Sequence, residues 1–223
     1  MTITTFQPHE TDAAIVARPG GDRLQRWFLL PLVRALFPLT IAGGRGLMAL
    51  TTPCIFAADH GSHLDTLAIL AALPDRVRVR VRVAAAEDYW YSDPLRRLAV
   101  GALGGFPFPR KGGLGLTRAA ALLHKGQCIL IYPEGTRGGG PFRPGVARLA
   151  ARAGVPVVPI AVRGGRECWP KGQALPRHGP LTVTFGTPLR ITPGTAPEEA
   201  TRQIEAAVRA LAADTAMPTT LAA

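Results

Sequence analysis

Positions five apart on one continuous helix point in different directions, so an H-x-x-x-x-D pair can meet only where the chain turns between its members. The stretch Ala57-Ala58-Asp59-His60-Gly61-Ser62-His63-Leu64-Asp65 supplies such a turn. The run before it, Pro53 to Ala58, is short, apolar and without helical period, and reads as a buried strand. The run after it, Leu64 to Leu73, has apolar residues at helical spacing and stops at Pro74. Gly61 permits the turn and Ser62 is placed to cap the helix. Asp65 then falls three residues after the cap, where its carboxylate reaches back toward the His60 imidazole. A carboxylate on one ring nitrogen fixes the tautomer and leaves the other nitrogen as a base. Read from these residues alone, a helix cap beside a surface histidine is an equal alternative.

The totals narrow the setting. A chain of 223 residues is one domain with room for a core, and 47% hydrophobic against 18% charged residues argues against disorder. Twenty-six basic residues against 15 acidic ones give a net charge of +11. That balance points to an acidic partner class: nucleic acid, an anionic membrane, or phosphorylated substrates. Part of the excess reflects an arginine- and alanine-rich composition. Aromatics are only 6% and are not interleaved with the basic run at 76–82, which disfavours nucleic acid. Cys54, Cys128 and Cys168 lie far apart, without C-x-x-C or zinc spacing, and read as core residues of a protein in a reducing compartment. No metal constellation is expected. The first 22 residues lack a basic-then-apolar signal pattern.

Taken in order, residues 1–21 form a loose lead-in. Residues 22–40 mix Arg23, Arg26 and Arg34 with Trp27, Phe28, Leu29 and Leu30. The apolar run is too short to span a bilayer. It reads as an amphipathic helix, either on a membrane surface or packed on the core, and kinked by Pro31. Residues 41–50 read as a glycine-rich turn region. Arg76 to Val83 alternates arginine and valine strictly, which predicts a strand near a sheet edge with one basic face. Asp93-Pro94 opens a helix to about Leu103, and residues 104–113 read as a loop. A helix over 116–125, a buried strand over 128–132, a helix over 145–153 and a strand over 155–162 follow. The prolines of that strand suit its ends or an exposed edge. A strand over 181–185 and a last helix opened by a Thr195–Glu198 capping box complete the pattern. Strands alternating with helices predict an α/β fold: a single domain with a central mixed, mostly parallel sheet flanked by helices, plus the N-terminal amphipathic segment. The boundaries drawn are 1–40 for the N-terminal part, 41–213 for the main domain and 214–223 for a frayed tail.

Four motifs in this order resemble the glycerophospholipid acyltransferase family, the group containing bacterial 1-acyl-glycerol-3-phosphate acyltransferases. The family's N-H-x-S-x-x-D corresponds to Asp59 to Asp65. Its glycine, apolar residues and arginine correspond to Gly105-Phe106-Pro107-Phe108-Pro109-Arg110. Its F-P-E-G-T-R corresponds to Tyr132-Pro133-Glu134-Gly135-Thr136-Arg137, and its V-P-x-x-P to Val155 to Pro159. Asp59 stands where the family has asparagine.

The resemblance implies an acyltransferase that moves a fatty acyl group from acyl-CoA or acyl-carrier protein to a lysophospholipid hydroxyl, with no other cofactor. His60 would be the general base and Asp65 its orienter. Gly135 and Thr136 would offer backbone N–H groups to an anionic oxygen, Glu134 would orient the acceptor or Arg137, and Arg110 and Arg137 would hold a phosphate. The expected place is the cytoplasmic face of an anionic membrane, bound peripherally, with the 76–82 arginines as a second contact. Two alternatives stand beside this one: another lyso-lipid acceptor such as a lyso-ornithine lipid, and a non-catalytic module that binds anionic membranes.

Overall fold

The strand that leads into the histidine turn, β2 (Ile55–Ala58), is buried at every position. A strand covered on both faces belongs in the middle of a parallel sheet. In the computed structural model, which describes residues 21–44, 46–47, 53–136, 139–170 and 172–214, it lies fourth of seven. The other strands are β1 (Leu39–Gly43), β3 (Val81–Ala86), β4 (Gly105–Phe108), β5 (Cys128–Ile131), β6 (Val157–Arg163) and β7 (Leu181–Phe185). Their spatial order is β1-β7-β6-β2-β5-β3-β4. The five strands from β6 to β4 run parallel. β7 is antiparallel to β6, and β1 runs parallel to β7. The sheet is mixed and mostly parallel, as the alternation of elements predicts.

Helices cover both faces. On one side lie the N-terminal helical segment, α3 (Leu64–Ala72) and the one-turn α4 (Asp75–Arg78). Their apolar residues join Phe56, Val81, Leu130 and Val158 in one core. On the other side α7 (Leu114–His124), α8 (Gly145–Ala153) and α10 (Pro197–Ala213) pack on Ile55, Ile129 and Val157. Two short helices, α5 (Glu87–Trp90) and α6 (Pro94–Ala102), connect β3 to β4, and α9 (Gly165–Cys168) follows β6. Ligand sites of such sheets lie beyond the carboxyl ends of the parallel strands. Here β2 ends at the histidine turn, β5 runs into Tyr132, and β6 ends just before α9.

The N-terminal segment packs one face on the core and leaves apolar residues exposed on the other. It consists of α1 (Gly21–Leu24), a π-helical turn Gln25–Leu29 and α2 (Leu30–Leu36). The wider turn directly precedes Pro31, which has no N–H and would crowd the carbonyl four residues back in an α-helix. Gln25, Leu30, Val33 and the following Phe37 are buried, whereas Leu24, Trp27, Phe28, Leu32 and Leu36 are exposed. Residues 1–20 and 215–223, the lead-in and nearly all of the tail, lie outside the described residues.

Four readings of the sequence are corrected. Residues 39–43, placed across a boundary and in a turn region, form β1, because pairing with β7 supplies the ladder that four half-buried residues and an exposed glycine do not announce. Residues 105–108, read as a loop, form the edge strand β4, where Pro107 is tolerated. Pro159 sits inside β6 rather than at its end. Its carbonyl accepts from Gly186 N at 2.9 Å, just past the last β7 residue, so its missing N–H falls where that ladder stops.

The largest correction is the arginine–valine alternation. Pro74 starts the one-turn α4, and β3 begins only at Val81. Arg78 is 2% exposed, and its guanidinium donates to Asp75 Oδ1 at 2.7 Å and to Gln25 Oε1 at 3.4 Å. Arg82 is buried as well. There is thus no exposed basic stripe at 76–82 to meet a membrane. The period-two pattern is broken because two of the arginines are buried, Arg78 against the partners just given. Arg78→Ala removes a buried guanidinium and strands the buried Gln25 amide oxygen. It should destabilise the fold by about 2–4 kcal/mol in urea titrations, against about 0.5 kcal/mol or less for the exposed Arg76→Ala.

Candidate active site

Asp65 sits in the first turn of α3, 2% exposed. Its Oδ2 accepts from Ser62 N at 2.7 Å and from Gly61 N at 2.8 Å. His60 Nδ1 lies 3.2 Å from the same oxygen. Ser62, itself 1% exposed, accepts at Oγ from Leu64 N at 3.2 Å and donates to the Trp169 carbonyl at 2.8 Å. Asp65 reaches back to the Ser62 N–H as the acid of a capping box does, while Ser62 Oγ takes the Leu64 N–H and not that of Asp65. The acid that closes the helix start is therefore also the group that faces the imidazole. In this position the neutral imidazole would donate from Nδ1 to the carboxylate and keep its lone pair on Nε2.

The imidazole is fixed on its flat side too. His60 stacks on Tyr132 with centroids 4.0 Å apart and planes 19° from parallel. The Tyr132 hydroxyl and Thr66 Oγ1 are 2.7 Å apart, which ties the end of β5 to α3. Burial, reinforced by the negative charge of Asp65, pushes the Tyr132 phenol well above its ordinary range, so the ring under the histidine stays neutral.

Behind this pair, α9 fits so closely that a Cβ on Gly165 would lie 2.3 Å from Asp65 Oδ1. Only glycine lets that helix start against the carboxylate. The loop after β5 contributes Glu134, 3% exposed, whose Oε2 accepts from Gly139 N at 3.0 Å. The Gly135 N–H, expected to face an oxyanion, instead donates to the Tyr132 carbonyl at 3.0 Å in a tight turn, and Gly135 at its last position takes a positive φ. That leaves the exposed Thr136 as the adjacent backbone donor. Arg137 lies outside the described residues.

A cavity of about 760 Å³ opens beside His60. Its walls include Leu67, Val83, Val100, Leu103 and Leu116, and its rim includes Arg110, Thr136 and Arg143. Arg110 Nη2 lies 3.2 Å from Asp88 Oδ1. Arg143, which sequence reasoning missed, lies over Gly135: its Cζ is 3.3 Å from where a Cβ on that glycine would be. Among the described residues it has no carboxylate partner. The signal that could have found it is its position beside Pro144-Gly145, just before α8. A second missed group is an aromatic cluster at the rim, where His63 lies 5.4 Å from Trp90 and 5.7 Å from Trp169, centroid to centroid.

Asp59 is a third carboxylate at this centre. Its Oδ1 is buried without a hydrogen-bond partner. Burial first, then the charge of Asp65, pushes its carboxyl up from 3.8 to about 6, against a backbone hydrogen bond with Val162 that works the other way. One strand-end region thus gathers buried carboxylates, a stacked imidazole and the Arg143 guanidinium beside a largely apolar cavity.

The chain belongs to the acyltransferase family, whose model matches residues 42–163. It is 30% identical over 158 residues to a chloroplastic 1-acyl-sn-glycerol-3-phosphate acyltransferase of Brassica napus, covering 67% of this chain and 44% of that one. It is 32% identical over 173 residues to a lyso-ornithine lipid O-acyltransferase of Pseudomonas aeruginosa, covering 70% and 62%. The chain thus spans less than two thirds of either relative. The crystal structure of the 1-acyl-sn-glycerophosphate acyltransferase of Thermotoga maritima shares the fold, with a TM-score of 0.66 at 18% identity over 92% of this chain and 88% of that one.

Asp59 gives a test of the site's electrostatics that needs no substrate. Between pH 3.8 and about 6 the folded carboxyl holds a proton that the unfolded one has lost. Stability therefore falls as pH rises through that window, and the full cost, at most about 3 kcal/mol, is present above it. Asp59→Asn should raise the melting temperature at a pH of about 7.5 and change it little at about pH 4. An equal effect at both would show that the carboxyl is not strained.

Proposed function

We propose that this protein is a lysophospholipid O-acyltransferase that uses a thioester donor, acyl-CoA or acyl-carrier protein, and takes 1-acyl-glycerol-3-phosphate as its leading acceptor. The observation that carries the reading is the His60–Asp65 pair at the mouth of an apolar cavity, with Nε2 left as a base. The names of the relatives support the reaction class.

In the proposed reaction the acceptor hydroxyl binds at Nε2 of His60. Its oxygen attacks the thioester carbonyl as Nε2 takes its proton, a C–O bond forms, and the carbonyl oxygen becomes an anion. Thr136 N–H is the nearest candidate donor to that anion. Collapse breaks the C–S bond, and the imidazolium returns its proton to the departing thiolate. The nucleophile belongs to the substrate, so no acyl-enzyme forms, and the buried Ser62 hydroxyl stays in its cap. Arg143, with Arg110 and Arg137, would receive the acceptor's phosphate, since guanidinium forks bind oxyanions bidentately. Of the two described, Arg143 is the more available, because Arg110 already faces Asp88. Glu134 shapes the loop that presents this group. The cavity would take an acyl chain.

The protein would work peripherally on the cytoplasmic face of an anionic membrane. Among the described residues no helix is long and apolar enough to cross one. The exposed Trp27, Phe28 and Leu32 with Arg23 and Arg26 make the first contact.

Purified protein with labelled acyl-CoA or acyl-carrier protein and a panel of lyso-lipids in detergent micelles tests the reaction and selects the acceptor. Absence of transfer to every lyso-lipid, with the fold intact, would leave the non-catalytic module as the better reading. His60→Ala should abolish transfer, and Asp65→Asn should lower it on the order of a thousandfold through the wrong tautomer. Gly165→Ala, which touches no substrate, should cost about a hundredfold by displacing the Asp65 carboxylate. Wild-type rates in His60→Ala would exclude the base.

A further inference from the structure

We infer that the outer ridge of α6 (Pro94–Ala102) is a second bilayer contact, so that the wall separating the cavity from solvent lies against an anionic leaflet. The inference rests on the lipid-acceptor reading and names the surface through which that site meets its substrate.

The observations are local to one helix. Asp93 accepts from Arg96 N at 3.0 Å and fixes the start of α6. Leu95 and Leu98 are then 77% and 72% exposed, more than any apolar residue of the N-terminal helix. They sit three apart, with Ala102 one turn further on, and so form a continuous ridge. That ridge does not stand alone. Gln25 Nε2 donates to the Ala102 carbonyl at 2.5 Å, which joins the C-terminal end of α6 to the N-terminal helix and its exposed Leu24, Trp27 and Phe28. Single exposed leucines are unremarkable, but a run of them shared by two adjoining helices marks an interaction surface.

Charge says which kind. Arg96 and Arg97 flank the leucines. Their guanidinium groups reach only backbone carbonyls, of Tyr89 at 3.5 Å and Tyr91 at 3.1 Å, and Arg96 also lies 4.5 Å over the Tyr89 ring. Among the described residues neither has a carboxylate partner. Apolar side chains bordered by arginines, with Tyr89 and Trp90 nearby, match an anionic membrane interface, where acyl chains lie beneath headgroups and aromatic rings sit at the headgroup level. A protein partner of complementary shape would need acidic groups set among apolar ones, whereas a leaflet offers both without register.

The opposite side of the same helix gives the contact its purpose. The buried Val100 lines the cavity with Leu103 just beyond, and the exposed Ala99, one turn on from Leu95, borders it at the edge of the ridge. One helix therefore separates the proposed chain-binding space from the proposed bilayer contact, and a lipid would pass from one to the other along α6 without crossing water.

The experiment uses the full chain and two independent measurements. Leu98→Cys, labelled with an environment-sensitive fluorophore, should shift to the blue on vesicles containing phosphatidylglycerol. Leu95→Gln combined with Leu98→Gln, both good helix formers, should lower the vesicle partition coefficient about tenfold or more with an unchanged thermal melt. Arg96→Gln should lower it about fivefold at low salt and less at high salt. A label that stays solvent-exposed while the protein floats with vesicles would overturn the inference and leave the N-terminal helix as the sole contact. A label already shielded without vesicles, by residues 1–20 or by a second copy, would overturn it as well. Acyl transfer to lyso-lipid in detergent micelles, measured on the same variants, reads the reaction separately: loss of vesicle binding with transfer retained locates the fault in the surface and not in the reaction.

Discussion

One carboxylate oxygen holds this site together. Asp65 Oδ2 gathers two backbone N–H groups and an imidazole nitrogen at a position almost closed to water. A buried carboxylate without donors would take up a proton, and each charge-assisted bond from a neutral N–H offsets that tendency by about 1.5–3 kcal/mol. The same three donors define the turn, the start of α3 and the direction of the histidine. A change that frees any one of them disturbs the other two. This explains why the neighbouring positions allow so little: Gly165 is held to hydrogen by the oxygen on the other side of the carboxylate.

The sheet makes this arrangement possible by bringing several strand ends to one edge. β2, β5 and β6 stand side by side, and their carboxyl ends deliver His60, Tyr132 and the α9 turn within contact of each other. β3 and β4 end further along the same edge and deliver Trp90 and Arg110 to the cavity rim. Polar groups and apolar volume therefore sit side by side, with His60, Thr136 and Arg143 bordering the cavity. His60, Arg110 and Arg143 come from loops and Asp65 from the first turn of α3, whereas the apolar cavity walls come mostly from strand and helix faces.

The His60–Asp65 turn was legible because its parts are local. A strand, a glycine, a cap and an acid three residues later are all set by neighbours in sequence. The helices over 94–102 and 145–153 were legible for the same reason, with an N-cap at Asp93 and a left-handed Gly154 closing the second. What could not be read depends on distant pairing. β1 exists because β7 lies beside it, and the burial of Arg78 depends on Gln25, more than fifty residues away. The Thr195 capping box illustrates the limit in the other direction. The pattern is present, yet α10 starts after Ala196 with no side-chain cap, because Pro197 already fixes the first turn. Arg143 was overlooked because a lone arginine in a loop carries no periodic signal, and only the fold places it over Gly135.

The π-helical turn at Gln25–Leu29 sets the phase of everything that follows it. An α-helix advances about 100° per residue, so positions five apart would end up far from alignment, yet Gln25 and Leu30 are both buried. From Leu30 the inward positions continue at ordinary spacing, through Val33 to Phe37. The extra residue works as a clutch between two helical registers: one keeps the buried glutamine on Arg78, the other keeps the apolar stripe on the core. Deleting a single residue between Gln25 and Leu30 would leave the helix intact as a helix but rotate one register against the other. It would turn Trp27 and Phe28 toward the core, or Leu30 and Val33 toward solvent. In such a segment length matters as much as composition, and a relative that differs there by one residue would present a different face to the outside.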